Sequence, residues 1–238
     1  RAVVEGEGYV LSGTKLFVSD ALGVNSRVCV TRTDGSSAET GGITLFLVDS
    51  NSPGVSGKPL LTMSGEKESE VLLDRVKVPT ENMLGDLGKG WGVVESIMRE
   101  AAIAKCAEMV GACQYALELT VDYAKQRMQF GHPIGSFQAV QHHCADMVIN
   151  LEGTRFIIYE AAWLISEGRP HAKEVAMAKA WANEACKRVV ALGLQCIGGV
   201  GVIEDHDMPL LSRLVRQSQL CYGNTDVYCE LVAQGLGL

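Results

Sequence analysis

The sequence predicts an α+β chain: part of an antiparallel β-domain, residues 1–86, followed by an up-and-down bundle of the four-helix type, residues 87–238. Three observations carry this reading. Up to about residue 85, short runs rich in β-branched residues alternate with glycine-containing turn signals. From Trp91 onward, apolar residues recur at helical spacing over long stretches. Glycine and proline then fall where such helices should stop and start.

The apolar runs of the first part include Tyr9-Val10-Leu11, Arg27-Val28-Cys29-Val30-Thr31 and Ile43-Thr44-Leu45-Phe46-Leu47-Val48. Between them lie Gly6-Glu7-Gly8, Ser12-Gly13, Asp34-Gly35-Ser36-Ser37, Gly41-Gly42 and Ser52-Pro53-Gly54. Such punctuation suits an antiparallel sheet or small barrel of about six strands. Val71–Pro79 should be its last strand, since Pro79 has no N–H to continue the pairing. Helices are expected over 91–126, with at most one break, and over 136–167, ending at Gly168. A third begins after Pro170, which suits an early helical position, and runs to about Leu194. Two shorter helices should cover 209–221 and 225–236. Residues Phe137, Val140, Met147, Ile157, Trp163, Val175, Met177, Trp181 and Val189 give the second and third helices more apolar surface than one layer can hide. Another chain should cover the remainder.

The composition narrows the function. At 47% hydrophobic over 238 residues, the chain can build a sizeable core. A formal charge of −7 with no basic block disfavours nucleic acid and acidic membrane surfaces as partners. No apolar run approaches the ~20 residues of a membrane span, so none is expected, and no signal-peptide pattern is visible. The chain starts at Arg1 within a strand pattern and reads as a fragment lacking an N-terminal portion. None of the eight cysteines forms a C-x-x-C pair, so no metal framework is expected. Reduced thiols serving as small core residues fit a cytoplasmic protein, or a mitochondrial-matrix one if the source is eukaryotic.

Two signatures stand where long helical patterns stop. One is Arg127-Met128-Gln129-Phe130-Gly131-His132-Pro133-Ile134, followed by Phe137-Gln138-Ala139-Val140-Gln141; the other is Gln195-Cys196-Ile197-Gly198-Gly199-Val200-Gly201. Arginine offers a planar fork for phosphate, phenylalanine a ring face, and glycines close backbone approach. The combination suits a dinucleotide. Arg127 could instead simply cap a helix C-terminus against its dipole.

With Gly8–Lys15, Val76–Gly85 and Gly88-Lys89-Gly90-Trp91, these segments occur in the order and spacing of the acyl-CoA dehydrogenase family, which the chain resembles over essentially its whole length. The resemblance implies FAD as cofactor, shared between two chains. Arg127 would reach the pyrophosphate of a neighbouring chain's FAD and Phe130 would pack on its adenosine part. Gln195, Gly198 and Gly199 would close over the same ADP portion. Ser19 stands where the family places a Thr or Ser beside the isoalloxazine, and Phe17 where an aromatic shields the flavin edge; both could also be ordinary strand residues. The resemblance further implies an acyl-CoA substrate, an electron-transfer flavoprotein as acceptor, and a homo- or hetero-oligomer, either a dimer or a tetramer of two dimers.

The family's reaction needs a carboxylate to take the α proton while the flavin takes the β hydrogen with its electron pair. Where many members carry that Glu near the C-terminus, this chain has Tyr222 or Gly223, depending on register. Where others carry it on the first long helix of the C-terminal domain, it has Ala101, with Ala102 in place of a common Arg. Glu100 is one residue away and is the candidate base, although one residue turns a helical side chain by ~100°. It could equally be a solvated first-turn Glu. Asp226 is a further candidate, with an N-cap role as its alternative. Three readings follow: a dehydrogenase forming 2,3-enoyl-CoA, a non-catalytic subunit completing a partner's FAD site, and an acyl-CoA oxidase-like enzyme.

Overall fold

The computed structural model describes residues 1–36 and 39–238; Ser37, in the expected turn at 34–37, lies outside them. The chain forms two compact units, Arg1–Ile97 and Met98–Leu238.

The first unit contains β1 (Ala2–Glu5), β2 (Gly8–Ser19), β3 (Ser26–Arg32), β4 (Ile43–Asp49), β5 (Val55–Leu60), β6 (Glu68–Pro79) and β7 (Met83–Leu84). Two antiparallel sheets result, ordered β1-β2-β6-β5 and β3-β4-β7. Leu11, Val71, Leu73, Val76 and Val78 of the first sheet share one core with Cys29, Phe46 and Val48 of the second. The rings of Tyr9 and Phe46 meet in it at 4.8 Å. Pro79 does end β6, but β6 is not the last strand. Met83 and Leu84 add a two-residue edge to β4, too short for any alternation to reveal.

The β2–β6 ladder slips twice, between Leu11 and Gly13 and between Lys15 and Val18. At the first slip Arg75 takes a left-handed φ of 51°. At the second, Phe17 does so at 56°. Each extra residue re-aims the side chains that follow it.

The second unit is built on α1 (Trp91–Gln126) from Met98 onward, α2 (Gln138–Ser166), α3 (Ala172–Ile197), α4 (Asp207–Ser218) and α5 (Thr225–Gly235). A short hairpin, β8 (Met128–Gln129) with β9 (His132–Pro133), joins α1 to α2. α1 buries Ala102, Cys106, Met109, Cys113, Ala116, Thr120 and Ala124. Their alternating three- and four-residue steps are the period of a helix seam. α3 answers with Ala178, Ala182, Cys186, Val189 and Gly193.

Met147, Val175 and Val189 lie inside this core. Trp163, Met177 and Trp181 remain exposed, together with Val148, Ile149, Phe156 and Tyr159 of α2. One stretch, Ala172–Val202, is long and apolar enough to cross a membrane by length and composition alone, against the expectation of none. Alanine and cysteine supply much of that character, and the stretch also contains buried Lys179 and Asn183. Lys179 Nζ donates to Asn183 Oδ1 at 2.9 Å and to the Ser218 carbonyl at 2.7 Å, tying α3 to the end of α4.

Gly193 is a tight point of the helical core. A Cβ there would lie 2.7 Å from Met208 Cε and 2.9 Å from Thr120 Oγ1. Gly193→Val should therefore destabilise the protein by about 1–3 kcal/mol through overpacking, outweighing the few tenths of a kcal/mol that helix propensity returns. Urea unfolding measures the balance; unchanged stability would contradict this packing.

Candidate functional site

α1 ends as the Arg127 N–H donates to the Tyr123 carbonyl at 2.8 Å, and the Arg127 carbonyl accepts from Ile134 N at 2.8 Å. This closes the β8–β9 hairpin, whose turn residues Phe130 and Gly131 have φ of 52° and 82°. Two positive φ angles suit a tight hairpin turn, but for a bulky residue such as Phe130 the left-handed region is strained. The ring is held out at 89% exposure and meets the edge of Phe137 at 6.1 Å. Gln141 Nε2 supports the loop by donating to the Gly135 carbonyl at 3.0 Å.

α3 ends at the same place. Gly198 caps it at φ 72°, ψ −145°, a conformation that only glycine adopts readily. A groove of about 500 Å³ results, lined by Tyr123, Arg127, Gln129 and Ile134 on one side and by Cys196, Ile197, Gly199 and Val200 on the other. Nothing lies within 4 Å of a Cβ built on Gly199. The Arg127 guanidinium makes no hydrogen bond or ion pair among the described residues. An uncommitted guanidinium beside an open glycine backbone is a ready receptor for a phosphate group. Gln195 is exposed on the last turn of α3 and does not line the groove.

Cys196 does line it, which the sequence motif did not single out. Its thiol hydrogen-bonds that of Cys144 on α2. Burial, then the Cys144 thiol, pushes Cys196 up to about 11, so it remains protonated at neutral pH.

In the first unit, Phe17 and Ser19 stand at the end of β2. Phe17 is 72% exposed and its left-handed backbone sits at the second register slip. Ser19 Oγ donates to Glu68 Oε1 at 3.0 Å. Glu68 is buried and its Oε2 has no partner among the described residues. The sequence alone gave no reason to choose it.

Neither candidate base lines the groove. α1 runs unbroken from Trp91 to Gln126, so no bulge brings Glu100 into the place of Ala101. Glu100 is exposed, while Ala102 and Ile103 turn into the core. Asp226 is also exposed and does not cap α5. That role falls to Asn224, whose side chain accepts from Val227 N at 3.1 Å. At Gly223, φ is 117° and a Cβ would meet the Tyr228 ring at 2.7 Å. Tyr228 is fixed there by donating from its hydroxyl to the Tyr222 carbonyl at 2.8 Å. Packing, as well as sequence, keeps a carboxylate from this position.

Comparison with known proteins places the chain in a family. Residues 88–237 match the model of the acyl-CoA dehydrogenase C-terminal domain. A 3-(aryl)acrylate reductase of Clostridium sporogenes is 37% identical over 98% of this chain and 62% of its own. A subunit of the caffeyl-CoA reductase–Etf complex of Acetobacterium woodii is 33% identical over 99% of this chain and 62% of its own. The butyryl-CoA dehydrogenase structure from Megasphaera elsdenii superposes with a TM-score of 0.95, at 31% identity, over all of this chain and 63% of that one. The chain thus spans about 62% of the length of these curated relatives, and it belongs to the acyl-CoA dehydrogenase family.

Proposed function

We propose that the intact protein is an FAD-dependent acyl-CoA dehydrogenase that interconverts an acyl-CoA and its 2,3-enoyl-CoA. The observation that carries this reading is the groove where the free guanidinium of Arg127 faces Gly199. Its donor set fits a pyrophosphate. Arg127 would hold that group, the exposed ring of Phe130 would pack on the adenosine, and Gln195, Gly198 and Gly199 would close over the ADP portion of FAD bound mainly by a neighbouring chain. Phe17 and Ser19 would border the isoalloxazine. FAD, when bound, supplies the two-electron acceptor of the reaction. The chain's own residues bind it, orient it and, in the substrate half-reaction, remove the α proton.

Glu100 is the proposed base. Ala101 at one family position, and Tyr222 or Gly223 at the other, favour a second reading in which this subunit completes a partner's FAD site and does no chemistry itself. An electron-transfer flavoprotein is the proposed redox partner, supported by the relative named as part of a reductase–Etf complex. The exposed apolar face of α2 and α3, including Ile149, Phe156, Tyr159, Trp163 and Trp181, supports a homo- or hetero-oligomer, a dimer or a tetramer of two dimers. The eight free thiols support a reducing compartment, cytoplasmic or mitochondrial.

Arg127→Ala should weaken FAD binding about ten- to a hundred-fold, the worth of a charge-assisted hydrogen bond of roughly 1.5–3 kcal/mol. Arg127→Lys should recover only part, having no fork. Titration of the apoprotein with FAD reads both, and unchanged affinity in the Ala variant would reduce Arg127 to a helix-end cation.

Glu100→Gln should retain FAD and lose about 10²–10⁴ in the rate of flavin bleaching by acyl-CoA. A wild-type flavoprotein that no acyl-CoA bleaches would establish the non-catalytic reading. A Gln variant that keeps pace with wild type would move the base elsewhere.

Sedimentation should show an oligomer at micromolar concentration. A well-behaved monomer would contradict the proposed interchain site.

A further inference from the structure

Glu68 is the single buried carboxylate among the described residues, only 6% exposed. It opens β6 directly across from Ser19, the last residue of β2. Its Oε1 accepts from Ser19 Oγ at 3.0 Å, and its buried Oε2 has no partner among the described residues. An orphaned buried carboxylate oxygen is rare in native structures and calls for an explanation. The backbone on either side of Ser19 is strained as well: Phe17 and Asp20 take φ of 56° and 52°. Such strain concentrates at working sites. Glu68 also lines an open depression of about 510 Å³ with Asp20, Glu66, Lys67 and Ser69.

A serine hydroxyl has one proton and two lone-pair sites. While Glu68 is ionised, the Ser19 proton is committed to it, and Ser19 Oγ presents only lone pairs elsewhere. Once Glu68 holds a proton, the bond can reverse, and Ser19 becomes a donor to whatever lies beyond it. The orphan Oε2 provides a lone pair on which that proton can rest. Glu68 and Ser19 therefore constitute a two-position proton switch whose outer end is Ser19 Oγ.

We infer that this pair is a proton relay serving the bound flavin during electron exchange with the partner flavoprotein. The inference rests on the proposed FAD reading and on the proposed place of Ser19 beside the isoalloxazine. The balance is simple. On reoxidation, FAD, when bound, would pass two electrons to the acceptor and release one proton to the chain's own residues. Ser19 Oγ takes that proton as its own moves to Glu68, which becomes a neutral carboxyl. The proton then leaves to water through the depression beside Asp20, Glu66 and Lys67. When electrons arrive instead of leaving, the same steps run in reverse. The relay is separate from the base that removes the substrate's α proton.

Two measurements on the intact protein test it. In the flavin-free protein carrying ¹³C-carboxyl glutamate, infrared difference spectra should show a carboxyl band that Glu68→Gln removes and Ser19→Ala shifts. A band indifferent to Ser19→Ala would overturn the coupling. In the FAD-loaded protein, reduced with dithionite and reoxidised by the one-electron acceptor ferrocenium, Glu68→Gln and Ser19→Ala should each slow reoxidation by at least about tenfold, as loss of general acid–base assistance does. Both should also lose the solvent deuterium isotope effect, and Glu68→Asp should regain part of the rate. Wild-type reoxidation rates in flavin-bearing Glu68→Gln would overturn the relay alone. A wild-type protein that takes up no FAD would overturn the cofactor reading, and the relay with it.

Discussion

The groove depends on one close approach, at Gly193. There the side chains of Thr120 from α1, Met147 from α2 and Met208 from α4 converge on a position of α3 with no room for a Cβ. The contact lies about two turns before Arg127 on α1 and a little over one turn before Gly198 on α3. With the helices locked at that point, their ends finish side by side. Arg127 then faces Gly199 across the groove rather than projecting alone into solvent. Ala and Cys side chains of α1 and α3 pack into the same core around this contact.

Strain marks both surfaces proposed to meet FAD. Phe17 and Phe130 are both bulky, both in the left-handed region and both largely exposed. Each conformation costs about 1–2 kcal/mol for an L-residue, and the exposed ring recovers little of it by burial. Neither cost is explained by folding. Tyr222 is different: its left-handed backbone is offset by the Tyr228 hydroxyl, which anchors its carbonyl. That hydrogen bond and the neighbouring ring also exclude a side chain at Gly223, so the missing carboxylate is embedded in the packing of α5.

The helices were legible because seven-residue spacing and Gly or Pro stops survive in the sequence; the long helices α1, α2 and α3 fall close to their expected bounds. Arg127 and the Gly198-Gly199 turn were legible as motifs, although only the fold shows that they meet. What escaped was whatever depends on partners distant in sequence. Glu68 reads as one acid in a polar run until β6 pairs with β2 and sets it against Ser19. Gly193 reads as a weak helix residue until three other helices crowd it. Which of the apolar residues of α2 and α3 are covered within the chain, as Met147 and Val189 are, escaped because periodicity shows a face but not what covers it. β7 is two residues long, and a pattern of period two needs more than that to declare itself.

The central claim is that Arg127, Phe130 and the glycine turn after α3 form a receptor for the ADP half of FAD carried by another chain. A structure of the intact protein determined with FAD tests it most directly. The account predicts the pyrophosphate of one subunit's FAD against the Arg127 guanidinium of its neighbour, with Phe130 on the adenosine. FAD held wholly within one subunit, with Arg127 turned to solvent, would contradict it.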